Sequence, residues 1–387
     1  MNKYAVLGAG MMGKVAARNL LEADERAEVT LIDGSETQLD KAAALTGRER
    51  VQFKRIDISD RATMVQTLEN HTAAVSALPH SMSLESINVA IEAQVPLVDL
   101  VCEAPQERAA LHAAARAAGA LIIPGCGVAP GISNICVGRG MELLDETHNA
   151  LIYVGGIPKE KTPPLDYQTV YLLESVFNLY LRPAEIVQGG KRVTVEALSD
   201  VEEMVFDKPI GRLEAFNTNG LGSLAMTMGD KVKNNLFEKT LRYPGHVEKI
   251  QLLKNCGLLE KETVRVGDAE VSPFEFMEEV LGQKLKLGPE GDIMVLRVLV
   301  DGVKDGKHQQ HVFELIDYFD PQTGYTAMAR TTCFPAACAA RMIVAGDLAE
   351  TGVWFPEQLF LGDRFEKLVS ELAVHNITLS HRKKKDR

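Results

Sequence analysis

Three glycines near the amino terminus stand at a spacing that suits phosphate binding. Gly8, Gly10 and Gly13 form a G-x-G-x-x-G turn between an apolar run and a stretch whose apolar residues recur at helical spacing. The first glycine permits a tight turn, the second lets the backbone approach a diphosphate, and the third lets the helix pack close to the strand. Because the first turn of a helix has free N–H groups, we expect the diphosphate to bind there, beside Met11 and Met12.

An acidic residue follows at the place where a ribose-binding carboxylate is expected. Asp33 ends a second apolar run about 20 residues after the last glycine. A carboxylate there accepts a hydrogen bond from the ribose 2′-hydroxyl and repels a 2′-phosphate, and neither Gly34 nor Ser35 supplies a positive charge. The turn and Asp33 together predict a bound dinucleotide, with NAD favoured over NADP. The alternative is an ordinary strand, turn and helix in which Asp33 is solvated.

Two further strand ends extend this predicted cofactor site. Asp57 ends the next apolar run and is placed to reach the adenine side of a dinucleotide. The Asp-Ile-Ser-Asp sequence that it begins is also typical of a helix cap, with Asp60 as the capping residue. Leu78 and Pro79 end a later strand and are expected on the nicotinamide side.

Three polar residues are candidates for chemistry on a substrate. Asp99 ends a strand beside the predicted nicotinamide, and His246 begins a helix; either side chain can accept a proton. Arg242 presents a planar fork that suits the α-carboxylate of an amino acid. Each residue also has a structural interpretation: Asp99 as the cap of a turn, His246 as a structural helix residue, and Arg242 as the partner of a carboxylate on a solvated face.

The elements that must hold these residues follow a regular alternation of strands and helices as far as residue 124. Six strand runs separated by helical stretches predict a doubly wound parallel sheet, the Rossmann arrangement. From Gly125 onward, longer two-residue alternation predicts a mixed or antiparallel sheet with helices on one face, and the run from Tyr325 to Thr331 is among its predicted strands. The predicted fold class is therefore α/β, with a Rossmann domain and a second α+β domain.

The same pattern gives provisional domain boundaries. Residues 1–124 are predicted to form the NAD-binding domain, and residues 125–332 a domain for catalysis, substrate binding and oligomerisation. A small apolar helix near 333–350 is expected to be buried against the first domain and to complete it. Residues 351–387 are expected to form a carboxyl-terminal segment whose basic end, His381 to Lys385, frays in solvent.

The composition is that of an ordinary globular protein and restricts its partners. A formal net charge of −11 over 387 residues argues against nucleic acid or an anionic membrane as a partner. No apolar run is long enough for a membrane span and no signal-peptide pattern is present, so a cytosolic location is expected. The six cysteines include no C-x-x-C pair, which argues against zinc and disulfides, and Cys102 and Cys126 are interpreted as small buried residues.

Five stretches in the second half carry a more specific pattern than the glycine turn. They are residues 127–134, 152–158, 163–167, 213–218 and 240–246. Together they resemble the saccharopine dehydrogenase-like family over nearly the whole chain, and most closely its L-lysine 6-dehydrogenase members. The resemblance implies a two-domain fold, a homo-oligomer of at least a dimer, and a small-molecule amino-acid substrate bound between the domains. It also implies NAD-dependent oxidation of the ε-amine of lysine, which gives 2-aminoadipate 6-semialdehyde and ammonia.

Two other functions stay open. Reductive condensation of an aldehyde with an amine, as in saccharopine reductase or carboxynorspermidine synthase, is expected to use NADPH, and Asp33 argues against it. A non-catalytic NAD-binding sensor would lack convergent polar groups in its second domain. The polar residues Asn217, Thr218, Arg242 and His246 argue against that function.

Overall fold

The structure is a computed structural model that describes residues 1–385. Two large β-sheets organise the chain into two lobes, and a two-stranded hairpin lies outside both sheets. In the part of the chain that the structure describes, no helix has both the length and the apolar character needed to cross a membrane.

The first lobe is a parallel sheet flanked by helices. Its elements are β1 (Asn2–Leu7), α1 (Met11–Ala23), β2 (Ala27–Asp33), α2 (Glu36–Thr46), β3 (Val51–Arg55), α3 (Arg61–Leu68), β4 (Ala73–Ser76), α4 (His80–Glu92), β5 (Leu97–Asp99), α5 (Pro105–Ala110), α6 (His112–Ala117) and β6 (Leu121–Pro124). These strands lie in the order β6-β5-β4-β1-β2-β3. Alternate residues of β1 pack on opposite faces: Tyr4 and Val6 join one core cluster, and Ala5 and Leu7 join another. Because the chain order reverses between β1 and β4, the carboxyl ends of these strands form the expected ligand crevice.

The second lobe is built on a mixed sheet. The rest of the chain comprises α7 (Ile132–Glu142), β7 (Glu146–Pro158), α8 (Leu173–Leu181), β8 (Ala184–Gln188), β9 (Lys191–Val195), β10 (Glu202–Val205), β11 (Arg212–Asn217), α9 (Leu224–Thr227), β12 (Val232–Arg242), α10 (His246–Asn255), β13 (Val264–Val266), β14 (Ala269–Val271), α11 (Pro273–Lys284), β15 (Asp292–Lys304), β16 (Lys307–Tyr318), α12 (Ala327–Val344), β17 (Gly352–Val353), α13 (Pro356–Leu359), α14 (Gly362–Val374) and β18 (Leu379–Lys385). Of these strands, β17 belongs to the first sheet, and β13 and β14 form the separate hairpin. The main path of the sheet is β10-β11-β12-β7-β15-β16-β18, with β8 and β9 beside β12. Strands β7 and β12 are parallel and the other pairs are antiparallel. The fold class predicted from the sequence is confirmed.

The carboxyl-terminal segment does not form a separate frayed tail. Strand β17 pairs with β6 and adds a seventh strand to the six predicted for the first sheet. Strand β18 pairs with β16, and the His381 ring stacks on Phe313 with ring centroids 4.3 Å apart. The expectation that His381 to Lys385 frays is therefore wrong, because the free edge of β16 accepts this stretch as a strand. The last two residues, 386 and 387, lie outside the described part of the chain.

The apolar helix starts earlier than the sequence indicated. Helix α12 begins at Ala327, so the strand predicted from Tyr325 to Thr331 is wrong, and the helix predicted near 333–350 begins six residues too late and ends beyond Val344. Two carboxylate oxygens of Asp292 accept the backbone N–H groups of Ala327 and Met328 at 2.7 and 2.9 Å, and Thr326 caps the helix. These tertiary contacts stabilise a helix start that the local alternation did not show.

Helix α12 joins the two lobes. It contacts α1, β4 and β5 of the first lobe and β15 of the second. The Cys333 thiol lies 3.1 Å from the carbonyl oxygen of Met12, within the glycine turn. One continuous core cluster therefore runs from the first sheet through this helix to the second sheet.

Candidate active site

The glycine turn joins β1 to α1 with almost no space around two of its glycines. Gly8 has a positive φ of 93°, and a Cβ atom on Gly13 would lie 1.7 Å from the carbonyl oxygen of Gly8. By contrast, no atom lies within 4 Å of the place where a Cβ atom on Gly10 would stand, and no side chain caps α1 there. Met11 is exposed beside the turn, and Met12 is buried beneath it. The turn is an open cradle at a helix N-terminus, and it fits the diphosphate of a dinucleotide.

Asp33 lies directly beside this cradle. Its Oδ2 atom accepts a hydrogen bond from the backbone N–H of Ala9 at 2.7 Å, and Oδ1 accepts one from the N–H of Ser35 at 2.7 Å. Each carboxylate oxygen can accept a second hydrogen bond, because an ionised carboxylate has about four acceptor positions. The carboxylate is thus held in one orientation and keeps capacity for ribose hydroxyls.

A positive charge that the sequence analysis missed also reaches this edge. Strands β2 and β3 pair in a register that puts Asp33 opposite Arg55, and Arg55 Nε donates a hydrogen bond to the carbonyl oxygen of Gly34 at 3.2 Å. A guanidinium here weakens the repulsion by which Asp33 excludes a 2′-phosphate. Arg55 comes close to Asp33 through the pairing of neighbouring strands, and not through a position next to Gly34 in the sequence. The preference for NAD over NADP therefore stays a prediction.

Asp57 lies at the same edge and is exposed. Its Cα atom is 3.9 Å from the position of a Cβ atom on Gly34, and its Oδ1 accepts hydrogen bonds from the N–H and the hydroxyl of Ser59 at 2.9 and 2.7 Å. These hydrogen bonds lower the pKa of Asp57. Asp60 caps α3 by accepting the N–H of Thr63 at 3.3 Å, so the predicted cap is confirmed. Contact of Asp57 with the adenine side stays a prediction.

Leu78 and Pro79 follow β4 on the other side of the turn. The Cδ2 atom of Leu78 is 3.4 Å from the position of a Cβ atom on Gly8, and Pro79 immediately precedes α4. Both residues are therefore at the reversal in strand order, where the nicotinamide is expected.

Asp99 ends β5 and is completely buried. Its carboxylate accepts hydrogen bonds from the hydroxyl of Ser83 and from the N–H of Val101, the latter at 3.2 Å, and Arg108 donates to the same hydroxyl at 2.7 Å. Burial raises the pKa of Asp99 to about 6, although the hydrogen bonds oppose the shift. The side chain can therefore exchange a proton near neutral pH, and it also stabilises the turn after β5, as the structural interpretation expected.

Arg242 is a buried cation at the end of β12. Its Nε donates a hydrogen bond to the hydroxyl of Tyr180 at 3.0 Å, and Nη1 donates one to the carbonyl oxygen of Leu241 at 2.8 Å. The guanidinium carbon lies 4.9 Å from the ring centroid of Tyr167. No carboxylate of the described residues is within ion-pair distance of Arg242, although only 6% of the residue is exposed. A buried guanidinium without a counter-ion is a favourable site for an anionic ligand, since an unpaired buried charge is costly.

His246 extends the same polar cluster. Its Nε2 lies 3.0 Å from the Tyr180 hydroxyl and its Nδ1 lies 3.3 Å from the carbonyl oxygen of Leu165. Burial first, and then the charge of Arg242, lowers the pKa of His246 to about 3, so the imidazole is neutral at pH 7. Because the carbonyl oxygen can only accept, we assign the proton to Nδ1, and Tyr180 donates to Nε2 while it accepts from Arg242.

The three predicted catalytic residues do not form one cluster. Arg242 and His246 share Tyr180, whereas Asp99 makes no hydrogen bond or ion pair to either of them within residues 1–385. Burial raises the pKa of Tyr171, and the nearby carboxylate of Asp99 adds to the shift. Tyr180 was missed by the sequence analysis, because a tyrosine on a helix carries no signal until its partners are known.

Two further polar residues, Thr240 and Glu238, lie on the same face of β12 as Arg242. Alternate residues of a strand face the same side, so Glu238, Thr240 and Arg242 share one face. The hydroxyl of Thr240 is 2.8 Å from that of Thr218, and Glu238 is 3% exposed. Asn217 donates instead to the hydroxyl of Ser199 at 3.1 Å. Glu238 was also missed, because its place two turns of the alternation before Arg242 does not show in the sequence that its carboxyl is buried beneath Gly220.

Other candidate groups lie elsewhere. Cys102 and Cys126 are buried, and burial raises the pKa of both thiols, which fits small buried residues.

Far along β7 from the polar cluster, the ligand atoms of His148, Asp301 and His308 lie within 4.8 Å of one another, a grouping from three strands that the sequence did not show. The groove of about 620 Å³ along α11 is lined by none of the predicted site residues.

Two family models match nearly the whole chain. The saccharopine dehydrogenase NADP binding domain matches residues 4–123, and the saccharopine dehydrogenase C-terminal domain matches residues 127–377. The chain belongs to the saccharopine dehydrogenase family. The family resemblance drawn from the sequence is confirmed, and the glycine turn belongs to a pyridine-nucleotide-binding domain of that family.

Relatives of this family member are distant in sequence but similar along most of the chain. Mouse mitochondrial alpha-aminoadipic semialdehyde synthase is 22% identical over 97% of this chain, which spans 47% of the length of that protein. Carboxyaminopropylagmatine dehydrogenase from Synechocystis is 21% identical over 93% of both chains. The structure of apo saccharopine dehydrogenase (L-Glu forming) from Saccharomyces cerevisiae superimposes with a TM-score of 0.82 at 17% identity, covering 99% of this chain and 100% of that chain. At this identity, the likeness shows a shared fold.

Proposed function

We propose that this member of the saccharopine dehydrogenase family is an oxidoreductase that oxidises an amine of an amino acid with a pyridine nucleotide. We further propose that its substrate is L-lysine, oxidised at the ε-amine with NAD. The observation that carries this proposal is the buried guanidinium of Arg242, which has no carboxylate partner in the described chain and suits the α-carboxylate of an amino acid. A cytosolic, homo-oligomeric enzyme is part of the same proposal and rests on the sequence.

In the proposed reaction, lysine with its ε-amine as ammonium, one NAD⁺ and one water give 2-aminoadipate 6-semialdehyde, ammonium, NADH and one proton. Bound NAD⁺ supplies the acceptor for the hydride that leaves the ε-carbon. Asp33 orients the ribose, and the glycine turn holds the diphosphate by its backbone N–H groups. Arg242 holds the α-carboxylate, and the Tyr180–His246 pair fixes the plane of the guanidinium.

A proton acceptor is needed because hydride leaves only from a carbon that bears a neutral amine. Asp99 and His246 are the acceptors predicted from the sequence, and at pH 7 Asp99 is largely ionised while His246 is neutral. Both side chains are already held by hydrogen bonds to protein groups.

The test is a substrate panel. Purified protein with NAD⁺ is mixed in turn with L-lysine, L-ornithine, other amino acids and polyamines, and NADH is followed by absorbance. We expect the fastest NADH formation with L-lysine. Absence of NADH with every amine would contradict the proposal, and NAD⁺ binding without any turnover would favour the sensor function.

A second candidate is reductive condensation with NADPH. It is favoured by Arg55 at the ribose edge and by the description of the matching first-domain family model as NADP binding. Comparing NAD(H) with NADP(H) in both reaction directions separates the two candidates. Turnover limited to NADPH, an aldehyde and an amine would support reductive condensation. In that case Arg55→Ala should lower the affinity for NADPH and leave the affinity for NADH unchanged, because NADH lacks the 2′-phosphate.

A further inference from the structure

Glu238 is a buried carboxyl group without a partner. Only 3% of the residue is exposed, its Oε2 atom is enclosed, and its carboxyl makes no hydrogen bond to any described residue. No positively charged side chain of the described chain offsets this burial. A buried polar group of this kind is costly unless something binds it, so its presence calls for a ligand.

The carboxyl lies on the face of β12 that carries the core cluster shared by the two lobes. Leu236, two residues earlier on the same face of β12, belongs to the core cluster shared by both lobes, whereas Leu241 packs in a separate cluster on the other face. Glu238 and Arg242 therefore lie on the same face as Leu236, with Cα atoms roughly 13 Å apart at about 3.3 Å per residue. The face thus presents a carboxyl group and a guanidinium at its two ends, with Thr240 between them.

The surrounding loop makes room for the carboxyl and connects it to the first lobe. A Cβ atom on Gly220 would lie 1.6 Å from Oε1 of Glu238, so only glycine leaves that space open. Two residues later, a Cβ atom on Gly222 would lie 2.8 Å from Pro130, in the loop that follows β6. Glu238 is therefore close to the strand ends where the nicotinamide is expected.

We propose that Glu238 binds the amine at the far end of the substrate chain and accepts its proton, while Arg242 binds the α-carboxylate. This inference rests on the proposed function and names the group that selects amino acids with a second, cationic amine. An extended chain of five bonds spans roughly 6 Å, and a hydrogen bond of about 3 Å at each end brings its reach to roughly 12 Å, close to the spacing of Glu238 and Arg242 along the strand. In the step, the ammonium N–H bond breaks, the proton moves to a carboxylate oxygen of Glu238, and the nitrogen keeps the electron pair.

The electrostatics of the site agree with this role. Burial raises the pKa of Glu238 to about 8, so the free protein holds the side chain protonated at pH 7. An ammonium group placed beside it favours the ionised form, and one proton then leaves for solvent on binding. A base with a pKa near the working pH is well matched to proton transfer.

The test compares L-lysine with L-norleucine, which has the same carbon chain and no terminal amine. Each ligand is titrated by calorimetry into protein saturated with NADH, so that no turnover occurs. We expect the wild-type protein to bind L-lysine at least about 10-fold more tightly than L-norleucine, since a charged hydrogen bond is worth roughly this factor or more. Glu238→Gln should bring the ratio close to one and leave norleucine affinity unchanged.

Proton release gives a readout that a purely structural glutamate would not change. Titrations at pH 7 in buffers of different ionisation enthalpy should show close to one proton released per L-lysine by the wild-type protein and none by Glu238→Gln. Glu357→Gln is the matched control, because Glu357 is a buried carboxyl that already accepts hydrogen bonds from Thr227 and Asn134. Should Glu238→Gln fold poorly, Gly220→Ala displaces the carboxyl without removing it and should abolish the same preference.

The outcomes separate this inference from the proposed function. If the wild-type protein oxidises L-lysine but Glu238→Gln keeps the lysine-to-norleucine ratio and the proton release, Glu238 does not bind the amine. If the preference for L-lysine depends on Glu238 but no NADH forms from L-lysine and NAD⁺, Glu238 binds the amine and the proposed oxidation of L-lysine is wrong. If the wild-type protein binds neither ligand, both proposals fall.

Discussion

At the scale of single residues, Arg242 offers the most direct test of substrate binding. A lysine at this position keeps the charge but loses the planar fork and the hydrogen bond from Nε to Tyr180. We expect Arg242→Lys to lower kcat/KM for an amino-acid substrate by roughly 10²-fold, mainly through KM, since losing one partner of a buried charged pair costs about 2–5 kcal/mol. Steady-state kinetics measure the change.

A matched substitution checks that this loss is local. Arg297 lies on β15 of the same sheet, stacks on Phe206 and pairs with Glu314 away from the polar cluster. Arg297→Lys should change kcat/KM by less than about twofold, because pairs of this partly exposed kind contribute little. Equal losses in the two variants would remove Arg242 from substrate binding.

The pH profile distinguishes the three possible proton acceptors. The pKa is about 3 for His246, about 6 for Asp99 and about 8 for Glu238. A base works only when it is deprotonated, so kcat/KM should rise with pH and level off above the pKa of the true acceptor. We expect the rise to extend to about pH 8 in the wild-type protein and in Asp99→Asn, and to disappear in Glu238→Gln. A rise near pH 6 that Asp99→Asn removes would assign the base to Asp99 instead.

The residues found from the sequence are those whose signal is local. Asp33 follows a glycine turn at a fixed spacing, and Arg242 and His246 stand in one short stretch that resembles the family. Glu238 and Arg55 gave no such signal, because the first depends on burial beneath the Gly220 loop and the second on the register between two strands. Burial and register are set by tertiary contacts, so a single sequence does not reveal them.

At the scale of elements, substitutions at two glycines of the strand-to-helix turn should affect cofactor binding and folding differently. A Cβ atom on Gly13 would lie 1.7 Å from a backbone oxygen, whereas one on Gly10 meets no atom within 4 Å. We expect Gly10→Ala to fold with near wild-type stability but to lose NAD affinity by about 10-fold or more, because the methyl group occupies the approach of the diphosphate. Gly13→Ala should lower the melting temperature as well, since backbone must shift.

Thermal unfolding and calorimetric titration of NAD on both variants measure these effects. Gly47→Ser is the control. Gly47 is the C-cap of α2, remote from the turn, and its φ of 73° means that serine strains the backbone there without touching the cradle. It should reduce stability and leave NAD affinity unchanged. Normal NAD affinity in Gly10→Ala would place the diphosphate elsewhere.

Elements also show where local pattern and tertiary contact disagree. The run from Tyr325 to Thr331 alternates like a strand, yet Asp292 and Thr326 stabilise the first turn of α12 there. The basic stretch at the carboxyl terminus has the polarity of a solvated tail, yet it completes the edge of the second sheet beside β16. In both cases a distant segment supplies the hydrogen-bond partners that decide the backbone conformation.

At the scale of the whole molecule, contacts between the two lobes accompany the burial of the polar residues proposed to bind substrate. Helix α12 packs on both lobes, and an ion pair between Glu103 and Arg182 joins the first lobe to the residue after α8. Arg242 and Glu238 are both buried. A substrate therefore reaches them only when the surrounding segments or the side chains move, and such movements are a usual way for enzymes to exclude water from a site.

The free energy of unfolding should depend on pH through Glu238, the unpartnered carboxyl. The pKa of Glu238 is raised from its ordinary value to about 8 in the folded protein, so the folded state keeps a proton that the unfolded state releases above about pH 4.5. The contribution of Glu238 to the free energy of unfolding is fully present below the pKa of the unfolded state, and it is lost as the pH rises to about 8. Between pH 6 and 8 the wild-type protein should lose about 2 kcal/mol of unfolding free energy relative to Glu238→Gln.

Urea unfolding of both proteins at several pH values in that range measures the difference in slope. The slope is the decisive quantity, because the amide in Glu238→Gln introduces its own constant cost of burial. Bound L-lysine should flatten the wild-type slope, since an ammonium partner returns the Glu238 pKa toward its ordinary value and removes the extra proton from the folded state. Parallel slopes for the two proteins without ligand would mean that Glu238 is ionised and paired, and that the amine of the substrate is bound by another group.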